Sequence, residues 1–212
     1  MRVVHVDDAL IVVDKPAGLL SVPGRGDDKQ DCALRRVRTL HADAQVVHRL
    51  DMATSGLLVF ARGPAAQRTL SIAFAERRVG KRYLAIVHGR PAPTAGEIAL
   101  PLAADWPNRP RQQVDTDRGK PSLTRYRVLD PAGDAQAASP AVRSRVALEP
   151  LTGRSHQLRV HLAAIGHPIA GDTLYGPPGD AGEARLLLHA EWLQLPDPRG
   201  GAARAWHSPA PF

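Results

Sequence analysis

Fifteen residues constrain this chain more than any others: His48–Arg62, HRLDMATSGLLVFAR, where a polar turn runs directly into an apolar strand. The run Leu57–Ala61 is uninterruptedly apolar and reads as a buried strand, with Thr54–Ser55–Gly56 turning the chain into it. Asp51 stands on the polar side of that turn. An acid placed between a polar turn and a buried strand is held at a cleft edge, where desolvation and a cationic partner set its protonation. The same residues equally suit a carboxylate that caps a turn or pairs with Arg49 on the surface. This stretch alone leaves the choice open.

Short strands surround it. Val3–Val4 and Ile11–Val13 flank a turn at Asp7–Asp8, and Pro16, Gly18, Pro23, Gly24 and Gly26 punctuate a long loop. Cys32–Leu40 has helical spacing, and Pro64 suits the start of a second helix reaching to about Arg78. Strands follow at Tyr83–Val87, Glu97–Leu100, Leu123–Leu129, Arg143–Leu148 and Leu186–Leu195, with a third helix from near Ser155 to a stop at Gly166. Asp130–Pro140 reads as a flexible hairpin tip and Pro209–Phe212 as a loose tail. The expected fold is α+β: one catalytic domain, residues 1–212, around a largely antiparallel mixed sheet with a few flanking helices.

A second polar knot is LEPLTGRSHQLRVHLAAIGHP, Leu148–Pro168. On a helix from Ser155, Arg154, Gln157 and His161 fall near one line, pointing away from the apolar stripe Leu158, Leu162 and Ile165. A cation at a helix start opposes the helix dipole. Arg154 there either meets a nearby carboxylate or reaches solvent or phosphate, and the spacing does not decide between them.

Charge narrows the partner. The net charge is +7, the pI is near 10.3, and only four of the 28 basic residues are lysines, which suits phosphate contacts and base stacking. The basic stretches Arg35–Arg38, Arg77–Arg82 and Arg109–Arg111 are candidate phosphate grips. Other chemistries lack their residues. His156 and His161 are five apart with no Glu between them, so there is no HExxH zinc helix, and a single cysteine excludes a cysteine-cluster zinc site. The glycines fit neither GxGxxG nor GxxxxGK[ST], and Ser55 lacks the G-x-S-x-G elbow. No apolar run approaches the ~18 residues of a membrane helix. The start of the chain does not read as a signal peptide, and a reducing cytoplasm is the expected location. His5, His41, His88 and His207 read as structural or surface histidines.

HRLDMATSGLLV resembles the HRLDxxTSGLL signature of the RluA-type pseudouridine synthases. LTGRSHQLRVHLAAIGHPIAGDTLYG and LLLHAEWLQL resemble two further blocks of that family, and VVDKPAGLLSVPGR its N-terminal block, with Asp14 in place of an expected Asn. The likeness runs from about Leu10 to about Leu195. DWPNRPRQQV (Asp105–Val114) and GKPSLTRY (Gly119–Tyr126) resemble the branch that modifies a large-subunit rRNA hairpin and the anticodon stem-loop of certain tRNAs. So does the lack of an N-terminal RNA-binding extension of the S4 kind.

The resemblance implies the pseudouridine synthase fold and roles for single residues. Asp51 is the catalytic nucleophile or base, Tyr83 packs on the uracil and helps remove its carbon-5 proton, and Arg154 is the ion-pair partner of Asp51. His48, Arg49, Thr54, Arg109, Arg111, Gln157 and Arg159 are the candidate RNA or substrate contacts. The implied reaction breaks the ribose–N1 bond, rotates the uracil and rejoins it through carbon 5, so neither cofactor nor metal is expected. The expected partner is RNA, with no membrane and no obligate protein partner, and the expected state is a monomer. Two rival readings remain at this stage. One is a glycosidase-like enzyme using Asp51 with a second acid such as Glu149; the other is a catalytically silent RNA-binding protein.

Overall fold

The structure is a computed structural model that describes residues 1–129, 142–178 and 183–212. These fall into two compact units, Met1–Lys81 with His189–Phe212, and Arg82–Leu188. The expected hairpin tip at Asp130–Pro140 lies outside the described residues.

The first unit is a mixed sheet with a helix on it. Strands β1 (Arg2–Val6) and β2 (Leu10–Lys15) form an antiparallel hairpin. Asp7 closes it by accepting the Ala9 and Leu10 amides at 2.8 and 2.9 Å. Burial opposes ionisation of Asp7, yet hydrogen bonds from Arg204, His5 and those two amides hold its carboxyl well below the ordinary range. After helix α1 (Ala33–Arg38) and the short β3 (Ala44–Val46) comes β4 (Ser55–Arg62). One edge of β4 pairs with β2; the other is shared by β3 at its end and by β11 (Leu188–Leu195) at its start. The β4–β11 pairing, Ser55 to His189 and Gly56 to Ala190, is parallel.

Alternation along the strands gives this sheet two buried faces. Leu10, Val12, Leu57, Val59 and Ala61 face helix α2 (Gly63–Ala75), which answers with Ala66, Leu70 and Ala73 at helical spacing. Ile11, Val13, Leu58 and Phe60 alternate with them and are also fully buried. Burying a side chain such as Leu70 completely stabilises by roughly 1.5–3 kcal/mol. Helix α2 ends three residues before the expected Arg78. Arg77 takes a left-handed conformation (φ 60°) and the Arg78 amide returns to the Ala73 carbonyl at 2.9 Å, a turn usually given to glycine.

In the second unit β5 (Gly80–His88), β10 (Arg143–Pro150), β9 (Thr124–Val128) and β6 (Ala95–Ile98) run antiparallel in that order. A separate hairpin, β7 (Leu102–Ala104) with β8 (Gln112–Val114), carries the turn 105–111. Helix α3 (Gln157–Ala164) lies against β8, β9 and β10. The fold is thus α+β on a largely antiparallel mixed sheet, as expected, with three α-helices among the described residues. The expectation was less good at short elements. β7, β8 and β12 (Arg204–His207) were not foreseen, because three or four residues of alternation cannot be told from loop. Among the described residues no helix is long and apolar enough to cross a membrane.

Candidate active site

Asp51 is half-buried on the turn that precedes β4. The peptides on both sides of it are held from behind. Ser21 donates its hydroxyl to the Leu50 carbonyl (2.6 Å) and accepts the Leu50 amide (3.0 Å). The Met52 carbonyl accepts the Gly18 amide (2.9 Å) and Lys15 Nζ (3.2 Å). Lys15 is fully buried and spends Nζ also on the carbonyls of Pro16 (3.0 Å) and Leu19 (2.8 Å). The Thr54 amide closes the turn on the Asp51 carbonyl at 3.1 Å, with Thr54 itself buried. The Asp51 turn is therefore held by Lys15 at the end of β2 and, from the punctuated loop, by the Ser21 hydroxyl and the Gly18 amide; sequence reading treated that loop only as a connection.

The next residues pin the start of β4. Ser55 is buried, and its Oγ lies 2.8 Å from His189 Nδ1 while His189 Nε2 meets the Ser208 carbonyl at 3.0 Å. A carbonyl only accepts, so Nε2 carries the proton and Ser55 donates to Nδ1. Ser55 is a strut between strands, in keeping with its reading as a turn residue. At Gly56 (φ 112°) a Cβ would lie 2.4 Å from the Ala190 carbonyl oxygen, so only glycine permits this parallel contact.

His48 corrects the sequence reading. Its Nε2 accepts the Val59 amide at 3.1 Å, taking over where the β3–β4 ladder ends, and its ring stacks on Phe74 at 4.6 Å. Burial, followed by the charge of Lys81, pushes its pKa down to about 3. A neutral, packed imidazole engaged with a backbone amide is a structural residue and not the RNA or substrate contact that the resemblance implied. Arg49 beside it is exposed.

On the second unit, Tyr83 lies on β5 opposite Leu148 of β10 and is half-buried, on the strand face that carries Ala85 and Val87. Arg154 does not open helix α3, which starts at Gln157 after a left-handed His156 (φ 53°). Its guanidinium is exposed and donates through Nε and Nη2 to the Pro121 carbonyl, both at 3.4 Å. The expected clash with the helix dipole is thereby removed.

The line Gln157–His161 also faces the other way from the expected one: both side chains are buried. Gln157 Oε1 accepts the Thr152 hydroxyl (2.7 Å) and the Arg154 amide (3.0 Å), while its Nε2 donates to the Leu123 carbonyl and Thr124 Oγ1, each at 3.0 Å. Thr124 in turn faces His161 Nδ1 at 2.9 Å, and His161 Nε2 reaches the Leu100 carbonyl at 3.0 Å. Burial lowers the His161 pKa. Gln157 has no donor or acceptor left for RNA, because a helix covered on nearly every side turns its polar residues inward and must satisfy them there.

Arg159 is the third correction. It is buried, and Nε and Nη2 fork onto both oxygens of the buried Asp172 at 2.7 Å each. Asp172, which sequence reasoning passed over, also caps the Leu174 and Tyr175 amides. A guanidinium this committed is not a surface contact for phosphate. Arg109 and Arg111 are exposed as expected: Arg109 stacks 3.5 Å over the ring of Trp106, itself 67% exposed, and Arg111 lies 5.4 Å from the Tyr175 ring. Among the other basic stretches, Arg36 pairs with Asp31 and Arg38 donates to the Ala44 carbonyl, so neither is an uncommitted phosphate grip. Among the described residues no three of His, Cys, Asp and Glu gather as a metal-ligand set.

A family model described as RNA pseudouridylate synthase matches residues 9–164. The chain belongs to that family. It is similar to the dual-specificity RNA pseudouridine synthase RluA of Escherichia coli strain K12, with 48% identity over 211 residues, covering 99% of this chain and 93% of that protein. The RluA of Yersinia pestis is 46% identical over 213 residues and is covered completely. Among solved structures, human RNA pseudouridylate synthase domain containing 1 superposes with a TM-score of 0.78 at 31% identity, covering all of this chain and 84% of that one. Human RNA pseudouridylate synthase domain containing 4 superposes at 0.75 with 25% identity, covering 99% and 88%. This synthase is therefore an isomerase family member, not a hydrolase of the glycosidase kind.

Proposed function

We propose that this synthase isomerises uridine to pseudouridine in structured RNA hairpins, a large-subunit rRNA hairpin and a tRNA anticodon stem-loop, with Asp51 as the reacting carboxylate. The observation that carries the reading is the clamp on Asp51. Peptide groups on both sides are tied down by Lys15, Ser21 and Gly18, so the carboxylate is presented without reorganisation when the base arrives. The target uridine leaves its stack first, at a cost of a few kcal/mol that is least in a hairpin loop. Asp51 then either adds to the ring or sugar as a nucleophile or takes a ribose proton to give a glycal; both routes use the same fixed position. Tyr83 is the aromatic partner of the uracil ring in this reading. The turn 105–111 supplies the RNA contact outside the reacting base, its Trp106–Arg109 stack offering a planar surface and a charge together.

Arg154 is the proposed counter-charge for Asp51; Arg159 is not offered in that role, because its guanidinium is already forked onto Asp172. Coupling between Asp51 and Arg154 in a double-mutant cycle tests the pair, and strict additivity would reject it.

The test of activity is incubation of the purified chain with uridine-labelled anticodon stem-loop and rRNA hairpin transcripts, followed by nuclease digestion. Pseudouridine is the expected product. Free uracil would support a glycosidase instead, and unchanged uridine would leave only an RNA-binding protein.

A further inference from the structure

Tyr175 ties together three parts of the second unit that are distant in sequence. Its hydroxyl oxygen accepts the amide of Gln112, the first residue of β8, at 2.7 Å. The same oxygen lies 2.7 Å from His156 Nδ1, immediately before helix α3, and the two rings meet edge to face at 5.7 Å. The guanidiniums of Arg111 and Arg159 sit 5.4 and 5.1 Å from the ring centroid, within cation–π range. Its backbone is fixed in turn: Asp172 Oδ1 accepts the Leu174 and Tyr175 amides while also holding Arg159. His156 keeps a left-handed backbone without capping the helix through its side chain. A non-glycine residue there costs of order 1 kcal/mol, a cost that the contact with Tyr175 offsets.

At the tip of hairpin β7–β8 the turn is closed by its own backbone bonds, Asp105 to Arg111, Asn108 to Asp105 and Arg111 to Asn108. Within the turn, Asp105 and Asn108 bond each other, and Trp106 and Arg109 stack on each other. The Gln112–Tyr175 bond falls at the point where the turn re-enters the strand, so it sets the height of the tip above α3.

We infer that Tyr175 is a positioning residue for RNA selection: through Gln112 and His156 it holds the β7–β8 turn, and hence Arg109 and Trp106, in the place where they meet the RNA hairpin. This rests on the reading that the turn contacts RNA. Tyr175→Phe deletes the hydroxyl and keeps the ring against which both guanidiniums lie, so the effect belongs in binding and not in the chemical step.

The experiment measures KM and kcat of the full chain on an anticodon stem-loop transcript for Tyr175→Phe, Arg109→Ala and the double variant. Net hydrogen-bond contributions translate into a KM increase of about 3- to 10-fold for Tyr175→Phe, with kcat within about two-fold. In the Arg109→Ala background, where the contact to be positioned is already gone, the same substitution should change KM by less than about two-fold. His156→Gly, which keeps the left-handed backbone without strain, should reproduce the KM effect and carries the test alone if Tyr175→Phe is insoluble. Equal KM effects in both backgrounds, or a fall in kcat at saturating RNA with KM unchanged, overturns the inference. If Arg109→Ala leaves KM unchanged, the reading of the turn as an RNA contact fails, and this inference with it. If Arg109→Ala raises KM and Tyr175→Phe does not, only the role of Tyr175 is lost.

Discussion

The Asp51 turn and the β7–β8 turn are built on opposite plans. Around Asp51 the holding groups grip backbone: Lys15 and Ser21 bind peptide carbonyls, and Gly18 donates an amide. The turn 105–111 closes instead on its own backbone, Asp105 to Arg111, Asn108 to Asp105 and Arg111 to Asn108, and a phenol on the Gln112 amide ties its re-entry to the rest of the unit. Backbone grips fix a position whatever the neighbouring side chains do; a surface turn on few ties can be re-aimed by one substitution. On the function proposed above, a reacting carboxylate needs the first plan, and an element that chooses between RNAs is served by the second, because changing it leaves the chemistry intact.

Removing a grip on the Asp51 turn should have the largest effect. Lys15→Met removes the Nζ bond from three carbonyls, of which only Met52 keeps another donor among the described residues, the Gly18 amide, and should cost about 3–5 kcal/mol. For a chain of this size that is a fall in Tm of roughly 6–20 °C, with activity lost alongside. A shift below about 2 °C by calorimetry would mean that the loop is held by something else. Gly56→Ala comes next: the added methyl meets the Ala190 carbonyl and an unfavourable φ together, for at least ~2 kcal/mol. Wild-type Tm in that variant would break the claim that β4 needs close approach to β11.

Two histidines held neutral by their surroundings give a smaller effect that compares the units through pH. Burial lowers both pKa values, His48 to about 3 and His161 in the same direction. The unfolded chain, with histidines near 6.5, therefore binds more protons, so stability is complete above about pH 6.5 and falls as the pH drops toward the folded values. Each neutral histidine contributes a slope of at most ~1.4 kcal/mol per pH unit. His48→Gln should flatten the acid limb of a chemical-denaturation series, and an unchanged slope would show that His48 is protonated in the fold. Smallest of all is Arg109→Ala, which should weaken hairpin RNA binding by only about 3- to 10-fold while leaving the fold intact, since one phosphate contact among several is lost. A lower Tm would make Arg109 part of the scaffold.

The same contrast explains what was legible in the sequence. Long, strongly patterned elements such as β2, β4, α2 and β11 were readable within a few residues, because burial on a period of two or 3.6 leaves a trace in local order. HRLDMATSGLLV marked the Asp51 turn for the same reason: the proposed reacting carboxylate and its turn are contiguous in sequence. The grips of Lys15 and Ser21, and the path from Asp172 through Tyr175 to Gln112, join residues far apart in sequence and leave no local pattern. The misreading of Gln157, His161 and Arg159 has a single cause. Polar residues on a helix suggest a wet face, and α3 is instead buried with its polar groups paired inside the unit. His48 was offered as an RNA or substrate contact only through the resemblance, and here its ring replaces a missing strand partner.

The central claim is that Asp51 performs the chemistry while the rest of the surface binds RNA. Purified Asp51→Asn keeps the shape of the side chain and, with it, the Thr54 amide bond to the main chain of residue 51. Two quantities measured on that one sample test the claim directly: pseudouridine formed in an anticodon stem-loop transcript, and Kd for the same RNA. The account predicts no detectable pseudouridine with Kd within a few-fold of the unsubstituted chain, since phosphate contacts dominate binding. Pseudouridine formed at an appreciable rate by Asp51→Asn would contradict it.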